Sequence, residues 1–239
     1  MKFQLRTELF SWSCLSGMGL LAAWAWSRVP ERIPVHWNAS GEVDGYGGRF
    51  MGLLLLPLMS VGLYFLLLVI PKLDPGKTNY EGFAKVYTII RNTLMTFLSI
   101  LYTATTMSAL GWRVDMARVI TIAMGLMFMV LGNYLGKVRP NWFVGVRTPW
   151  TLSSKRSWTK THRLSGWLFL GCGVAAFATG VVGPQWGVFV LMGTILPSTL
   201  VAVIYSYFAW RSDPDRLSPA GTSPAPDGAD AVSPNPAGQ

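Results

Sequence analysis

The sequence predicts an all-α integral membrane protein: about six transmembrane helices, both termini cytoplasmic, one structured outer loop and one long basic inner loop. Three observations carry this expectation. Charged residues make up only 13% of the 239 residues, against 51% hydrophobic, and mean hydropathy is +0.37; a soluble domain carries about a quarter charged residues. Six apolar stretches approach the roughly 20 residues a spanning helix needs. Lys and Arg are shared unequally between the segments that join them.

The stretches are Leu9–Trp26, Met51–Ile70, Asn92–Leu110, Val119–Leu135, Ser165–Gly183 and Trp186–Ala209, and none holds Asp, Glu, Lys, Arg or His. Gly183-Pro184-Gln185 must turn tightly between the last two. The head, Pro71–Arg91, Gly136–Arg163 and the tail carry most of the basic residues. The intervening segments hold only Arg28, Arg32, Arg49, Arg113 and Arg118, so the positive-inside rule puts both termini in the cytoplasm. That rule also accounts for most of the +9 net charge, and no direct nucleic-acid binding is expected. The chain divides into residues 1–75 with an outer loop domain over 28–50, a third span and outer turn over 76–118, a region over 119–210 containing the inner loop 136–163, and a tail over 211–239 read as disordered from its Pro, Ala, Ser, Gly and Asp. Lys2 and Arg6 before an apolar run resemble a signal peptide, but Trp24 and Trp26 fit an interfacial belt better than a cleavage site. Cys14 and Cys172 fall within spans and read as small apolar residues.

Spans without carboxylates argue against a proton- or sodium-coupled carrier, which places acids or His in the membrane. Asn133 is the main strongly polar residue there, read as an interhelical hydrogen bond, and Arg91 is expected to snorkel to the inner surface. Hydroxyls of the third span (Thr93, Thr96, Ser99, Thr103, Thr105, Thr106, Ser108) bond their own helix or face a polar interior. Ala176 and Gly180 have the spacing of a helix-packing contact.

The inner loop, GKVRPNWFVGVRTPWTLSSKRSWTKTHR, has seven basic residues, no acid, and Trp142, Trp150 and Trp158 spread through it. Arg147 lies beside a rigid Thr148-Pro149 step and the Trp150 indole. Ser153 or Ser154 can cap a helix beginning near Lys155, on which Trp158 and His162 share a face. Such a loop suits either the anionic leaflet or a docking partner. Without a carboxylate to orient His162, a nucleophilic triad is not expected. In the outer stretch PVHWNASGEVDGYGG, Asn38, Gly41, Gly45, Gly47 and Gly48 are turn residues. His36, Trp37, Asn38, Glu42, Asp44 and Tyr46 are the candidate ligand contacts. One His with two acids is weak evidence for a metal, and Asn38-Ala39-Ser40 matches a glycan acceptor of a kind common by chance.

Gly132 to Leu152, followed by Trp158 and Thr161-His162-Arg163, resembles the signature of the SdpI family, and Ile33 to Asn38 with Gly41, Asp44 and Gly45 resembles the extracytoplasmic domain that often precedes it. The resemblance implies a bacterial multi-pass membrane protein. It makes Asn133, Asn141, Gly145, Arg147, Thr148, Pro149, Trp150, Trp158, His162 and Arg163 the inner signature. The family is named for an immunity protein against a secreted antimicrobial peptide, which also signals by holding a transcriptional repressor at the membrane. The expectation is therefore resistance to, or sensing of, such a peptide, with the bilayer, the peptide and a cytoplasmic repressor as partners, and with no catalytic residue, cofactor or metal. The alternative is a membrane enzyme or permease handling a lipid, cell-wall precursor or other small molecule.

Overall fold

The computed structural model describes residues 5–216. The described chain runs α1 (Leu5–Ala25), β1 (Arg32–Trp37), β2 (Val43–Gly48), a π-turn (Phe50–Leu54) continuous with α2 (Leu55–Leu73), a 3-10 turn (Lys77–Phe83), α3 (Ala84–Ala109), α4 (Met116–Leu135), α5 (Pro149–Ser153), α6 (Lys155–Val182), a 3-10 turn (Pro184–Trp186) and α7 (Gly187–Arg211). The fold is thus mostly helical and not wholly so. The outer stretch folds as an antiparallel β-hairpin, because Pro34 holds β1 extended and Asn38 organises the turn. Asn38 Oδ1 accepts from the backbone N–H of Ser40 and of Glu42, and Gly41 takes the left-handed φ of +83° that closes the loop.

Among the described residues, Phe50–Leu73, Met116–Leu135, Lys155–Val182 and Pro184–Arg211 are long and apolar enough to cross a membrane. Their outward faces fit that solvent: Leu58, Met59, Phe65 and Leu66 on α2, and Phe189, Leu196, Leu200 and Ile204 on α7, are exposed. Helices α1 and α3 are also long enough, roughly 32 and 39 Å, but more polar.

A buried ion pair joins them. Helix α1 begins before Leu9 and takes in Glu8, which is buried, as is Arg91 of α3; Arg91 Nη2 donates to Glu8 Oε1 at 2.6 Å. The Tyr64 hydroxyl of α2 donates to Glu8 Oε2 at 2.9 Å and accepts from Trp12 Nε1 at 2.7 Å, while Ser11 donates to Asn92 on the same interface. Arg91 therefore does not snorkel, and the bundle does contain a carboxylate. A guanidinium that meets a carboxylate inside the protein need not reach water. Most of the α3 hydroxyls turn inward to their own helix: Thr93, Thr96, Thr103 and Thr105 donate to carbonyls three or four residues back.

The second half of the chain is held by a different device. Helices α4 and α6 run antiparallel and make the most extensive contact between elements in the fold. Glycines recur every seven residues on each, Gly125 and Gly132 on α4 against Gly166, Gly173 and Gly180 on α6. A Cβ on Gly132 would lie 2.5 Å from the Leu170 nitrogen, and one on Gly173 2.6 Å from the Met129 nitrogen. The two backbones touch directly. With no hydrophobic drive between helices in lipid, this close approach supplies the van der Waals energy. Ala176 and Gly180 are both buried, and Ala117, Thr121 and Gly125 on α4 have the same four-residue spacing, with Thr121 beside Gly180. At the far end Gly183 and the 3-10 turn make the tight connection to α7.

Two expected outcomes follow from these contacts. Gly132→Ala overpacks the α4–α6 interface and lowers stability by about 1–3 kcal/mol, whereas Gly19→Ala, with nothing near its added Cβ, is neutral; thermal melting of the purified protein in detergent separates them. Glu8→Ala strands the buried Arg91 charge and costs roughly 3–5 kcal/mol, while Glu8→Leu combined with Arg91→Met recovers most of it; recovery absent from the double variant would count against an energetic role for the pair.

Candidate functional site: the inner loop and the outer hairpin

The segment between α4 and α6 has little regular structure, yet most of its polar side chains are committed. Asn141 ties the first turn. Its amide nitrogen donates to the carbonyls of Arg139 and Val144, and its oxygen accepts from the N–H groups of Phe143 and Val144. Thr148 caps α5 in a reciprocal arrangement: its Oγ1 accepts from Thr151 N, and Thr151 Oγ1 accepts from Thr148 N. Pro149 occupies the first turn of α5, where a missing N–H is harmless. Ser154, rather than Ser153, caps α6 by accepting from Ser157 N.

His162 and Trp158 are stacked, ring centroids 4.0 Å apart, and both are buried. Trp158 Nε1 donates to the Val138 carbonyl. His162 Nε2 accepts from Val146 N at 3.1 Å, so its proton sits on Nδ1, which donates to the Trp158 carbonyl at 2.8 Å. Both ring nitrogens are occupied by backbone, so this histidine is placed as a clasp and not as a base. Gly145 passes over it with φ +111°, and a Cβ there would fall 2.2 Å from His162 Nε2. Backbone, not a carboxylate, orients the ring.

Carboxylates act on the loop from elsewhere in the chain. Asp74, buried at the end of α2, accepts from Trp142 N, Gly76 N and the Tyr80 hydroxyl. Burial, and then the hydrogen bond to Asp74, hold the Tyr80 hydroxyl protonated, well above the ordinary tyrosine range. Asn79 donates to the Pro140 carbonyl. Asp213 is also buried and accepts from Ser154 Oγ at 2.5 Å. The tail expected from residue 211 therefore starts later: Arg211 closes α7, Asp213 belongs to the loop's support, and the expectation of disorder for 217–239 lies outside the described residues. Ser206 of α7 completes the frame, sharing a hydrogen bond with Thr148 Oγ1 and accepting at its carbonyl from Ser157 Oγ. Asp74, Asn79, Asp213 and Ser206 are not evident as site residues from sequence. The turn-forming Asp74-Pro75-Gly76 is the one visible signal.

What remains outward is aromatic and basic: Trp142, Phe143, Arg147, Leu152, Lys155, Arg156, Lys160 and Arg163 are exposed. Arg147 Nη1 donates to the Trp142 carbonyl, and Trp150 packs edge-on against Tyr207 of α7, so guanidinium and indole do not pair as their spacing suggests. Asn133 is exposed on α4 and makes no hydrogen bond with the described residues; the expected interhelical bond is not formed.

On the hairpin, His36 Nδ1 and Asp44 Oδ1 lie 2.5 Å apart on an exposed face, and Asn38 Nδ2 donates to Glu42. Tyr46 is exposed and Trp37 half-buried. His36 and Asp44 therefore meet while Glu42 turns to Asn38, and among the described residues no group of three or more His, Cys, Asp and Glu gathers. Beneath the hairpin, Ile33 packs with Ala25, Val29, Leu53 and Ala109, and the Gly41 turn rests on Ala117 at the start of α4.

Four long apolar helices over a bundle with lipid-facing flanks define a multi-pass membrane protein. The chain carries an SdpI/YfhL protein family domain over residues 137–206, preceded by a domain of unknown function (DUF1648) over residues 16–61. The SdpI family is linked to immunity to the SdpC toxin, and its members are generally non-enzymatic membrane proteins. No curated protein and no solved structure matches the chain. The family domain spans the inner loop and ends at Ser206, the α7 residue that closes the loop's hydrogen-bond frame.

His162→Ala leaves the Val146 N–H without its acceptor and removes the ring under Gly145, with an expected loss of about 1–3 kcal/mol. His162→Gln, able to accept from Val146, should recover part of it. Urea titration monitored by tryptophan fluorescence reads both.

Proposed function

We propose that this protein is a bacterial inner-membrane sensor of, or resistance factor against, an extracytoplasmic antimicrobial peptide. It crosses the membrane six times with both termini inside, α1 and α3 spanning as an ion-paired unit beside the four apolar helices. The hairpin then faces outward and meets the peptide through His36, Trp37, Asn38, Glu42, Asp44 and Tyr46. The inner loop faces the cytoplasm and answers by recruiting a transcriptional repressor to its exposed basic and aromatic face.

One observation carries this reading. The hairpin turn at Gly41 sits on Ala117, at the first turn of α4, and the other end of α4 leads straight into the Val138 carbonyl that Trp158 holds. Helix α4 is therefore one rigid element in contact with both candidate surfaces. Its backbone contact with α6 makes it a body that shifts as a whole or not at all. A peptide that changes the hairpin's seat on α4 has a physical route to the loop, provided that it binds the two arrangements with different affinity. The distribution of Lys and Arg supports the orientation: the loop carries seven, the segment around the hairpin only Arg28, Arg32 and Arg49.

The test is deletion of the gene followed by challenge with candidate antimicrobial peptides, then complementation. Asp44→Asn and His36→Ala should lower tolerance without changing the amount of protein in the membrane, since the pair is solvent-exposed and surface pairs add little stability. Arg147→Ala should leave peptide binding intact and abolish repressor recruitment. Wild-type tolerance in both hairpin variants would remove the hairpin from the mechanism, and unchanged recruitment in Arg147→Ala would remove that side chain.

A further inference from the structure

Beside the loop, between α4 and α6, lies an open cleft of about 180 Å³. Its floor is Gly132, Gly136 and Gly166, where the two backbones meet without side chains. Asn133 lines it from the end of α4 and Lys137 from the turn just beyond, while Arg163 and Trp167 line it from α6, one helical turn apart. No carboxylate lines it. Lys137 Nζ sits 4.6 Å over the Tyr134 ring, and the side chains of Asn133, Lys137 and Arg163 make no hydrogen bond or ion pair with the described residues.

We propose that this cleft binds the phosphodiester headgroup of an anionic glycerophospholipid. Three facts favour that occupant. First, Asn133 is an exposed amide two residues from the end of a helix long and apolar enough to cross a membrane, at the depth where headgroups lie. Second, two cations and an amide, from the end of α4, the turn after it and α6, line a depression floored by glycines, and charge-assisted hydrogen bonds to phosphate oxygens satisfy all of them. Third, Trp167 is exposed one turn along α6 from Arg163, the position of an interfacial indole beside headgroups. A basic pocket between membrane helices at the headgroup level is a lipid site by its chemistry. The bound headgroup would bridge the two helices at the mouth of the inner loop. The assignment does not depend on any peptide or on which face of the membrane the loop occupies.

The full-length protein, purified in neutral detergent, is offered phosphatidylglycerol, phosphatidylcholine or inorganic phosphate, and read by native mass spectrometry and by thermal melting. One phosphatidylglycerol per chain should be retained and should raise the melting temperature, with phosphatidylcholine and inorganic phosphate giving neither. Lys137→Gln with Arg163→Gln should weaken retention at least about tenfold, the order expected for two lost charge-assisted contacts. Lys155→Gln with Arg156→Gln, the same charge change elsewhere on α6, should not. Asn133→Leu, which alters no charge, should also weaken retention and serves if the double variant does not fold. Equal loss in both charge pairs would reduce the effect to general surface attraction and overturn the site. So would equal stabilisation by inorganic phosphate, or equal retention of phosphatidylcholine.

Discussion

Lipid gives two helices almost nothing for coming together, because their apolar side chains are as well solvated apart as together. What α4 and α6 have instead is absence. Glycines at every seventh position on both helices let the peptide planes of one lie on those of the other. This contact fixes where α4 ends relative to where α6 begins, and therefore the separation that the intervening loop must bridge. Trp158 can reach the Val138 carbonyl, and His162 the Val146 N–H, only because the two helices are this close. The cleft lined by Lys137 and Arg163 is the open edge of the same seam.

The loop itself shows that a dense motif need not be a reactive one. Asn141, Trp158 and His162 spend their side-chain polar groups on backbone, Thr148 spends its hydroxyl on α5 and Ser206, and their arrangement specifies a shape. The side chains left outward, Trp142, Phe143, Arg147 and Arg163, are the ones free to meet something else. Anchoring comes from two other helices. Asp74 follows α2, Ser206 lies in α7 and Asp213 just beyond it, so a rearrangement of the loop would be felt well outside it.

Local features were legible in the sequence. The Ser154 cap, the shared face of Trp158 and His162, the tight turn at Gly183 and the apolar lengths of α2, α4, α6 and α7 all follow from spacing within a few residues. Features made by distant partners were not. Glu8 lies one residue before an apolar run and Arg91 one residue before another, so each read as a flanking charge; only the folded chain joins them. The hairpin was hidden because β2, Val43 to Gly48, is half glycine and has little of the composition of a strand. Its strand character comes from its partner and from Asn38. Likewise nothing local joins Asp74 to Trp142 or Asp213 to Ser154; the fold brings them together.

The Glu8–Arg91 pair also has a consequence in time. The two residues are 83 positions apart, and chains are made at about 5–20 residues per second. Helix α1 therefore emerges with a lone carboxylate, and several seconds pass before the guanidinium that neutralises it has been synthesised. During that interval the N-terminal helix lacks its native partner and is poorly suited to bare lipid. Its final seating is a late event in the making of the protein, coupled to the arrival of α3, even though it is made well before it.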